Sequence, residues 1–267
     1  MPYVVVFDLC GPFAHFRKFY TNSSSLSYGF PPRTALMGVV AAVLGWERDT
    51  YYEALGPEKA RFAVSIKVPT RKIIQTVNYI RTRKEDLEKL KRLDAAKGPQ
   101  VPLEIVLPAG TNSHLKFRVY FSCREEKVLD ALAERLKKKQ VHYPLYLGLT
   151  EFIAQARFIS AGRPQAVHPP GIEVRLNSVL NASFLVKPVL KEDVALNREK
   201  APFSFGPDRT LLPTASFIYE ASSRPFTAIL SCSAYTFSLP DGRETISFME
   251  GDLWPSTRPG TAGAATA

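Results

Sequence analysis

Two short segments of this chain set cations beside aromatic rings. His15-Phe-Arg-Lys-Phe-Tyr20 carries Arg17 and Lys18 next to Tyr20, and Tyr28-Gly-Phe-Pro-Pro-Arg33 carries Arg33 behind Tyr28 and Phe30. Cations hold a phosphate backbone and ring faces take unstacked bases, so both segments contain the groups that grip single-stranded RNA. Phosphates are assigned to Arg17, Lys18 and Arg33 and bases to Tyr20 or Tyr28, with the two clusters expected to meet over a sheet. Phe19 and Phe30 are read as core, because phenylalanine is usually buried. Arg33 stands at the mouth of a helix that is apolar or glycine from Ala35 to Leu44, with Pro31 and Pro32 setting its first turn. A cation there opposes the helix dipole, so something negative must face it. A phosphate and a nearby carboxylate both satisfy that requirement.

The whole chain is basic. Its 267 residues hold 35 Lys and Arg against 25 Asp and Glu, a formal charge of +10, which favours a polyanionic partner. Hydrophobic residues make up 45%, ample for a real core. The apolar helix is too short to cross a bilayer and no signal precedes the first apolar run at Tyr3, so a cytoplasmic protein with no membrane partner is expected. Cys10, Cys123 and Cys232 are odd in number and far apart, which suits reduced, buried thiols rather than a disulfide framework or zinc site. Glycine-rich nucleotide motifs are absent and no acidic pair has metal-ligand spacing, so no cofactor is expected.

The elements that must position these groups follow from periodicity. Tyr3 to Leu9 reads as a central strand, then comes the Arg33 helix. Ala60 to Val68 and Leu115 to Cys123 read as strands, Glu125 to Gln140 as an amphipathic helix, and Glu151 to Ile159 as a fourth strand. Strand, helix, strand, strand, helix, strand is the order of a ferredoxin-like split βαβ unit. Between its second and third strands lies an insertion too long for an ordinary loop. Lys67 to Arg118 holds twelve Lys and Arg against five Asp and Glu, a net of +7. Ile73 to Thr82 and Val101 to Leu107 read as the arms of a long basic hairpin, with Glu85 to Leu93 as a short helix at its tip. Arg71, Lys72, Asn78, Arg81 and Arg83, with His114 and Lys116 on the return arm, are placed along departing RNA. Alternation lets Arg81 and Arg83 act together while Lys72 and Asn78 form a separate set. Beyond Gly162 a proline linker leads to short β runs at Ser183 to Leu190, Thr214 to Ala221, Thr227 to Ser238 and Thr245 to Met249, with a hairpin turn at Leu239-Pro-Asp-Gly-Arg243. The expected organisation is α+β: a ferredoxin-like domain over 1–161 with a hairpin insertion at about 70–114, a small β-rich domain over 162–254, and a disordered tail over 255–267.

Ser23-Ser-Ser-Leu-Ser-Tyr-Gly-Phe-Pro-Pro-Arg-Thr-Ala-Leu-Met-Gly38, the basic insertion and Tyr146-Leu-Gly-Leu-Thr-Glu-Phe-Ile-Ala154 together resemble the fifth CRISPR-associated protein family. This is the repeat-handle-binding subunit of type I Cascade effectors, and the likeness is nearest to the type I-B branch. The resemblance implies an RRM-like domain with a thumb hairpin in a noncatalytic subunit of an antiviral ribonucleoprotein complex. Such a subunit caps the 5′ repeat-derived handle of the CRISPR RNA, touches a backbone subunit through the thumb and docks the large subunit; contact with nearby target DNA is left open. The family's glycine-rich loop corresponds to Leu147-Gly148-Leu149, which adds Gly148 to the RNA-binding candidates. Members of the type I-C branch cut precursor RNA without metal, through the ribose 2′-hydroxyl. That chemistry needs a general base, a general acid and a cation. His15, His114, His142 and His168 are the candidates, each with a surface or capping role as the alternative, and the type I-B likeness implies a separate endonuclease.

Overall fold

A computed structural model describes residues 3–21, 25–79, 84–92, 99–189 and 194–254. Arg81, Arg83 and the tail over 255–267 lie outside the described residues. The first strand, β1 (Val4–Gly11), is buried along its whole length, as a run of apolar and β-branched residues permits when both faces of a sheet are covered. Two-residue strands β2 (Phe16–Arg17) and β3 (Ser27–Tyr28) pair as a small ribbon. Helix α1 (Arg33–Leu44) ends at Gly45, whose φ of 82° and N–H bond to the Ala41 carbonyl form a left-handed cap suited to glycine. Then follow β4 (Ala60–Ile66), β5 (Thr70–Asn78), α2 (Lys84–Lys91), β6 (Gln100–Pro108), β7 (Leu115–Cys123), α3 (Glu126–Lys137), β8 (Leu145–Tyr146) and β9 (Ile153–Gly162).

The main sheet runs β4-β7-β1-β9-β8, with its neighbours antiparallel. Its four long strands therefore lie in the order second, third, first, fourth. Alternation along β1 divides two cores: Val5, Phe7 and Leu9 pack with α1 and α3, while Val4 and Val6 join Ala63 and Tyr120 on the other face. Strands β5 and β6 pair over nine residues, Thr70 opposite Pro108 through Asn78 opposite Gln100. This ribbon is held by bridges from Ala14, in the loop after β1, to Val106 and from Ser25, just before β3, to Leu103.

The remainder builds three further three-stranded sheets from β10 (Ala166–His168), β11 (Glu173–Leu176), β12 (Leu180–Asn181), β13 (Leu185–Val189), β14 (Leu196–Pro202), β15 (Thr214–Glu220), β16 (Phe226–Leu230), β17 (Ala234–Leu239) and β18 (Gly242–Ile246). The single run expected at Thr227 to Ser238 is two strands, because the chain breaks at 231–233, where the Ser231 N–H bonds to the Phe184 carbonyl. The expected turn joins β17 to β18, with Leu239 opposite Gly242. That hairpin covers part of the second face of the main sheet, through Tyr235, Phe237, Leu239 and Ile246. Ala201, Phe217, Tyr219 and Met249 enter the core that holds α1 and α3. The segment after 161 thus packs into the same interior as the segment before it. The architecture is α+β and mostly strand.

Beneath the β17–β18 hairpin sits a buried charge cluster. Arg118 donates through Nε and Nη2 to the two oxygens of Asp8, at 2.7 and 3.1 Å, and through Nη1 and Nη2 to Asp241, at 2.7 and 2.9 Å. A second Nη1 bond reaches Glu244 at 2.7 Å, so all five guanidinium protons are used. Glu244 also accepts from Tyr120 Oη at 2.8 Å and pairs with Lys67. The three cysteines are free and buried.

Candidate nucleic-acid interface

Arg33 is a corrected expectation. It is wholly buried, paired with Glu250, and donates through Nη2 to the Leu55 carbonyl at 2.8 Å and through Nη1 to the Phe203 carbonyl at 3.2 Å. Its guanidinium also lies 5.3 Å from the ring centres of Phe62 and Phe203. The negative group facing it is a carboxylate 217 residues away in sequence, and no surface is left for a phosphate. Tyr28 is corrected likewise: it is fully buried, and its hydroxyl donates to the Lys200 carbonyl at 2.9 Å. Phe30 is core, edge-on to Phe217 and Tyr219. The two segments do meet, Phe16 opposite Tyr28 and Arg17 opposite Ser27 in the β2–β3 ribbon, but Tyr28, Phe30 and Arg33 are inside the core and offer no surface.

The first cluster is accessible. Arg17 projects from β2 into solvent, its only side-chain hydrogen bond among the described residues a long 3.5 Å contact from Nη2 to the Thr21 carbonyl. Tyr20 is half exposed, and Phe19, expected in the core, is 41% exposed with its ring edge-on to Tyr20. The tight turn at the end of β2 leaves no interior within reach of the Phe19 ring. Phe13 is also 41% exposed and packs against Phe152. Sequence reasoning had no reason to single it out.

His15 fixes this loop in place. Its Nδ1 lies 2.7 Å from the Glu104 carbonyl, which only accepts, so Nδ1 carries the proton and Nε2 is free to accept from Ser25 Oγ at 3.2 Å. Its backbone N–H donates to the Leu147 carbonyl at 2.9 Å. Gly148, with φ of 95°, lies so close that a Cβ would fall 1.9 Å from the His15 carbonyl oxygen. Only glycine allows that approach. The ribbon, the base of the hairpin and the glycine loop therefore meet at one histidine. Burial lowers the His15 pKa from its ordinary 6.5, against an opposing pull from the Glu104 carbonyl. The folded form thus binds fewer protons than the unfolded form, so the stability this group lends is full above the unfolded value and drains away as pH falls below it. The urea midpoint should drop between pH 7 and pH 5.5, and His15→Gln should flatten that part of the profile.

Lys18 and Lys72 are brought together, but as partners of carboxylates. Lys18 Nζ is 2.9 Å and Lys72 Nζ 3.2 Å from Glu199 Oε1, and Lys72 lies 3.4 Å from Glu104 and donates to the Ser27 carbonyl at 2.6 Å. Burial pulls the Lys18 ammonium down, yet Glu199 outweighs it and holds the pKa above its ordinary value. Both lysines are spent on carboxylates of the protein itself. Asn78 is exposed at the far end of β5, roughly 20 Å from Lys72 at strand rise. His114 is exposed beside Ser113. Lys116 is not on the hairpin's return arm but in the main sheet, opposite Cys10 on β1. The structure therefore joins Arg17, Lys18, Tyr20, Lys72 and Gly148 in one region, with Tyr28 buried beneath Lys18, and sets Arg33, Asn78, His114 and Lys116 apart from it.

The remaining histidines have separate surroundings. His168 Nε2 lies 2.8 Å from Thr236 Oγ1, and His142 packs against Gly45 and the Tyr143 ring. Among the described residues no three His, Cys, Asp or Glu are grouped to hold a metal ion, and no helix is long and apolar enough to cross a membrane.

Comparison with known proteins adds the lineage. A structure described as a CRISPR protein from Archaeoglobus fulgidus matches with 12% identity over 91% of this chain and 98% of that one, at a TM-score of 0.50. A chain of a CRISPR RNA-guided surveillance complex matches with 15% identity over 85% of this chain and 91% of that one, at 0.45. No curated protein matches the sequence. The family described as "CRISPR-associated protein (Cas_Cas5)" matches residues 4–184, which span β1, the ribbon, both long helices, the hairpin and the glycine loop. The chain belongs to that CRISPR-associated protein family.

Proposed function

We propose that the protein is a noncatalytic RNA-binding subunit of a type I CRISPR effector, of the I-B kind, that caps the 5′ repeat-derived handle of the CRISPR RNA. Its partners in this reading are that handle, a backbone subunit and the large subunit. The observation that carries the proposal is the junction at His15, where the β2–β3 ribbon, the base of the β5–β6 hairpin and the Gly148 loop lock together and leave Arg17, Phe19 and Tyr20 facing solvent. Exposed rings beside a cation that has no salt bridge among the described residues, on a rigid mount, are what a single strand needs. The strand order second, third, first, fourth supports a ferredoxin-like, RRM-like unit, with the β5–β6 ribbon as its thumb.

The test is a gel experiment with purified protein and end-labelled repeat RNA in excess chelator, read under native and denaturing conditions over a salt series. A shifted, uncut and salt-sensitive band is expected. Arg17→Ala with Tyr20→Ala should weaken binding about tenfold or more and reduce the salt slope by ~0.7. A discrete cleavage product in chelator would instead make the chain a metal-independent endoribonuclease, and each histidine would then be tested.

A further inference from the structure

The β17–β18 hairpin stops partway along the second face of the main sheet. Its turn reaches the row formed by Asp8 and Arg118, which it clamps through Asp241. Beyond that row Cys10 on β1 is still buried, but the flanking strands carry exposed side chains on the same face. Residues opposite one another in an antiparallel pair share a face, so Cys10 on β1 stands between Lys116 on β7 and Gln155 on β9, and Asp8 stands between Arg118 and Arg157. One strand further out, Tyr146 on β8 is opposite Ile153 on β9. Gln155 and Arg157 are exposed, Lys116 is partly so, Tyr146 is 45% exposed and Ile153 is 67% exposed.

The charges on this open half-face are of one sign. Asp8 is nine-tenths buried and spent on Arg118, whereas neither Lys116 nor Arg157 has a salt bridge or side-chain hydrogen bond among the described residues. The two cations are separated by two strand spacings and by two residues along the strands, roughly 12 Å. Between and beside them lie an amide, an isoleucine and a tyrosine ring. Tyr146 immediately precedes Leu147, whose carbonyl accepts the His15 N–H, so the surface begins where the Gly148 loop ends.

We propose that this open half-face, through Lys116, Gln155, Arg157 and Tyr146, is a sequence-independent docking surface for single-stranded RNA. Two unpaired cations take phosphates, and Tyr146 offers a face for a base, with Ile153 covering its far side. The surface takes the strand where it passes the Gly148 loop. The proposal rests on the RNA-binding reading above for the identity of the polymer, and on different residues for its place.

Its test uses the full chain with two probes, labelled repeat RNA and a labelled 20-nucleotide polyuridylate, in anisotropy titrations over a salt series. Lys116→Gln with Arg157→Gln should weaken polyuridylate binding about tenfold and lower the salt slope by ~1.4, since each phosphate contact on a single strand adds ~0.7. Tyr146→Ala should cost about fivefold or more. Among the described residues none of these side chains makes a salt bridge or a side-chain hydrogen bond, and unchanged thermal melting will confirm that the variants fold. Unchanged affinity and slope for both probes in the glutamine and alanine variants, while Arg17→Ala still weakens repeat RNA, would overturn this surface and leave the handle site standing. If the glutamine variant binds both RNAs normally but fails to assemble with the other effector subunits, the face is a protein interface and the proposal is wrong. If wild-type protein binds neither RNA, both readings fall.

Discussion

Replacing Arg118 by leucine is expected to unfasten the β17–β18 hairpin and cost the fold about 3–5 kcal/mol. Arg118, Asp8 and Glu244 are each more than nine-tenths buried, so removing the guanidinium strands two carboxylates where water cannot reach them. Glu244 keeps Lys67, but Asp8 loses its only ion-pair partner among the described residues. Asp241 is half exposed, and its own share is small. For a chain of this size the loss moves Tm by roughly 6–20 °C. Arg118→Lys should recover little of it, because an ammonium cannot reproduce a fork that serves three carboxylates with five protons. Calorimetry gives the total, and limited proteolysis at the Asp241–Gly242 turn tells where the damage falls. Cleavage at that turn no faster than in wild type, with Tm unchanged, would show that the cluster does not hold the hairpin down.

Replacing Arg33 by alanine is expected to act on stability by a similar amount and leave intrinsic RNA affinity alone. Glu250 is 2% exposed, and burial already raises its pKa against the pull of Arg33. Without the guanidinium it must either protonate or draw in water, and the Leu55 and Phe203 carbonyls lose a donor as well. The penalty is about 3–5 kcal/mol. Because a well-packed apolar pair is often no less stable than a buried ion pair, Arg33→Met with Glu250→Leu should restore much of the loss. Denaturant unfolding of the single and double variants measures this, alongside RNA titration of the folded protein. A variant as stable as wild type that fails to bind RNA would return Arg33 to the phosphate role.

The contrast between Arg33 and Arg17 marks what the sequence could reveal. Both were legible as cations near aromatic rings. Their fates were decided by carboxylates the local sequence does not contain: Glu250 closes on Arg33 from 217 residues away, and among the described residues no carboxylate pairs with Arg17. Lys18 and Lys72 were read as phosphate contacts because Glu199 lies in a strand that only the fold brings to them. The long elements fared better. The periodicities of β1, β4, β7, α1 and α3 were strong, and the strand expected to begin at Glu151 begins at Ile153, because the Phe152 N–H turns back to the Leu149 carbonyl first. Strands β2, β3 and β8 have two residues each, too few to carry a period. The arms of the hairpin were visible as extended runs, and Lys116 lies in the strand from Leu115 to Cys123 that was legible beside them, so only its assignment to the return arm failed.

The burial of β1 on both faces also bears on how the molecule comes to exist. Its partners, β7 and β9, are made long after it, and the hairpin that covers its second face comes near the end of the described chain. At synthesis rates of roughly 5–20 residues per second, the interval between finishing β1 and finishing β7 is on the order of ten seconds. Through that time six apolar side chains wait outside the ribosome with no lawful neighbour, and non-local pairing of this kind is slow to form even once the partners arrive. Among the described strands, the one on which both interiors depend is made before the others and is among the last to be satisfied, so the hazardous period for this protein is its own birth.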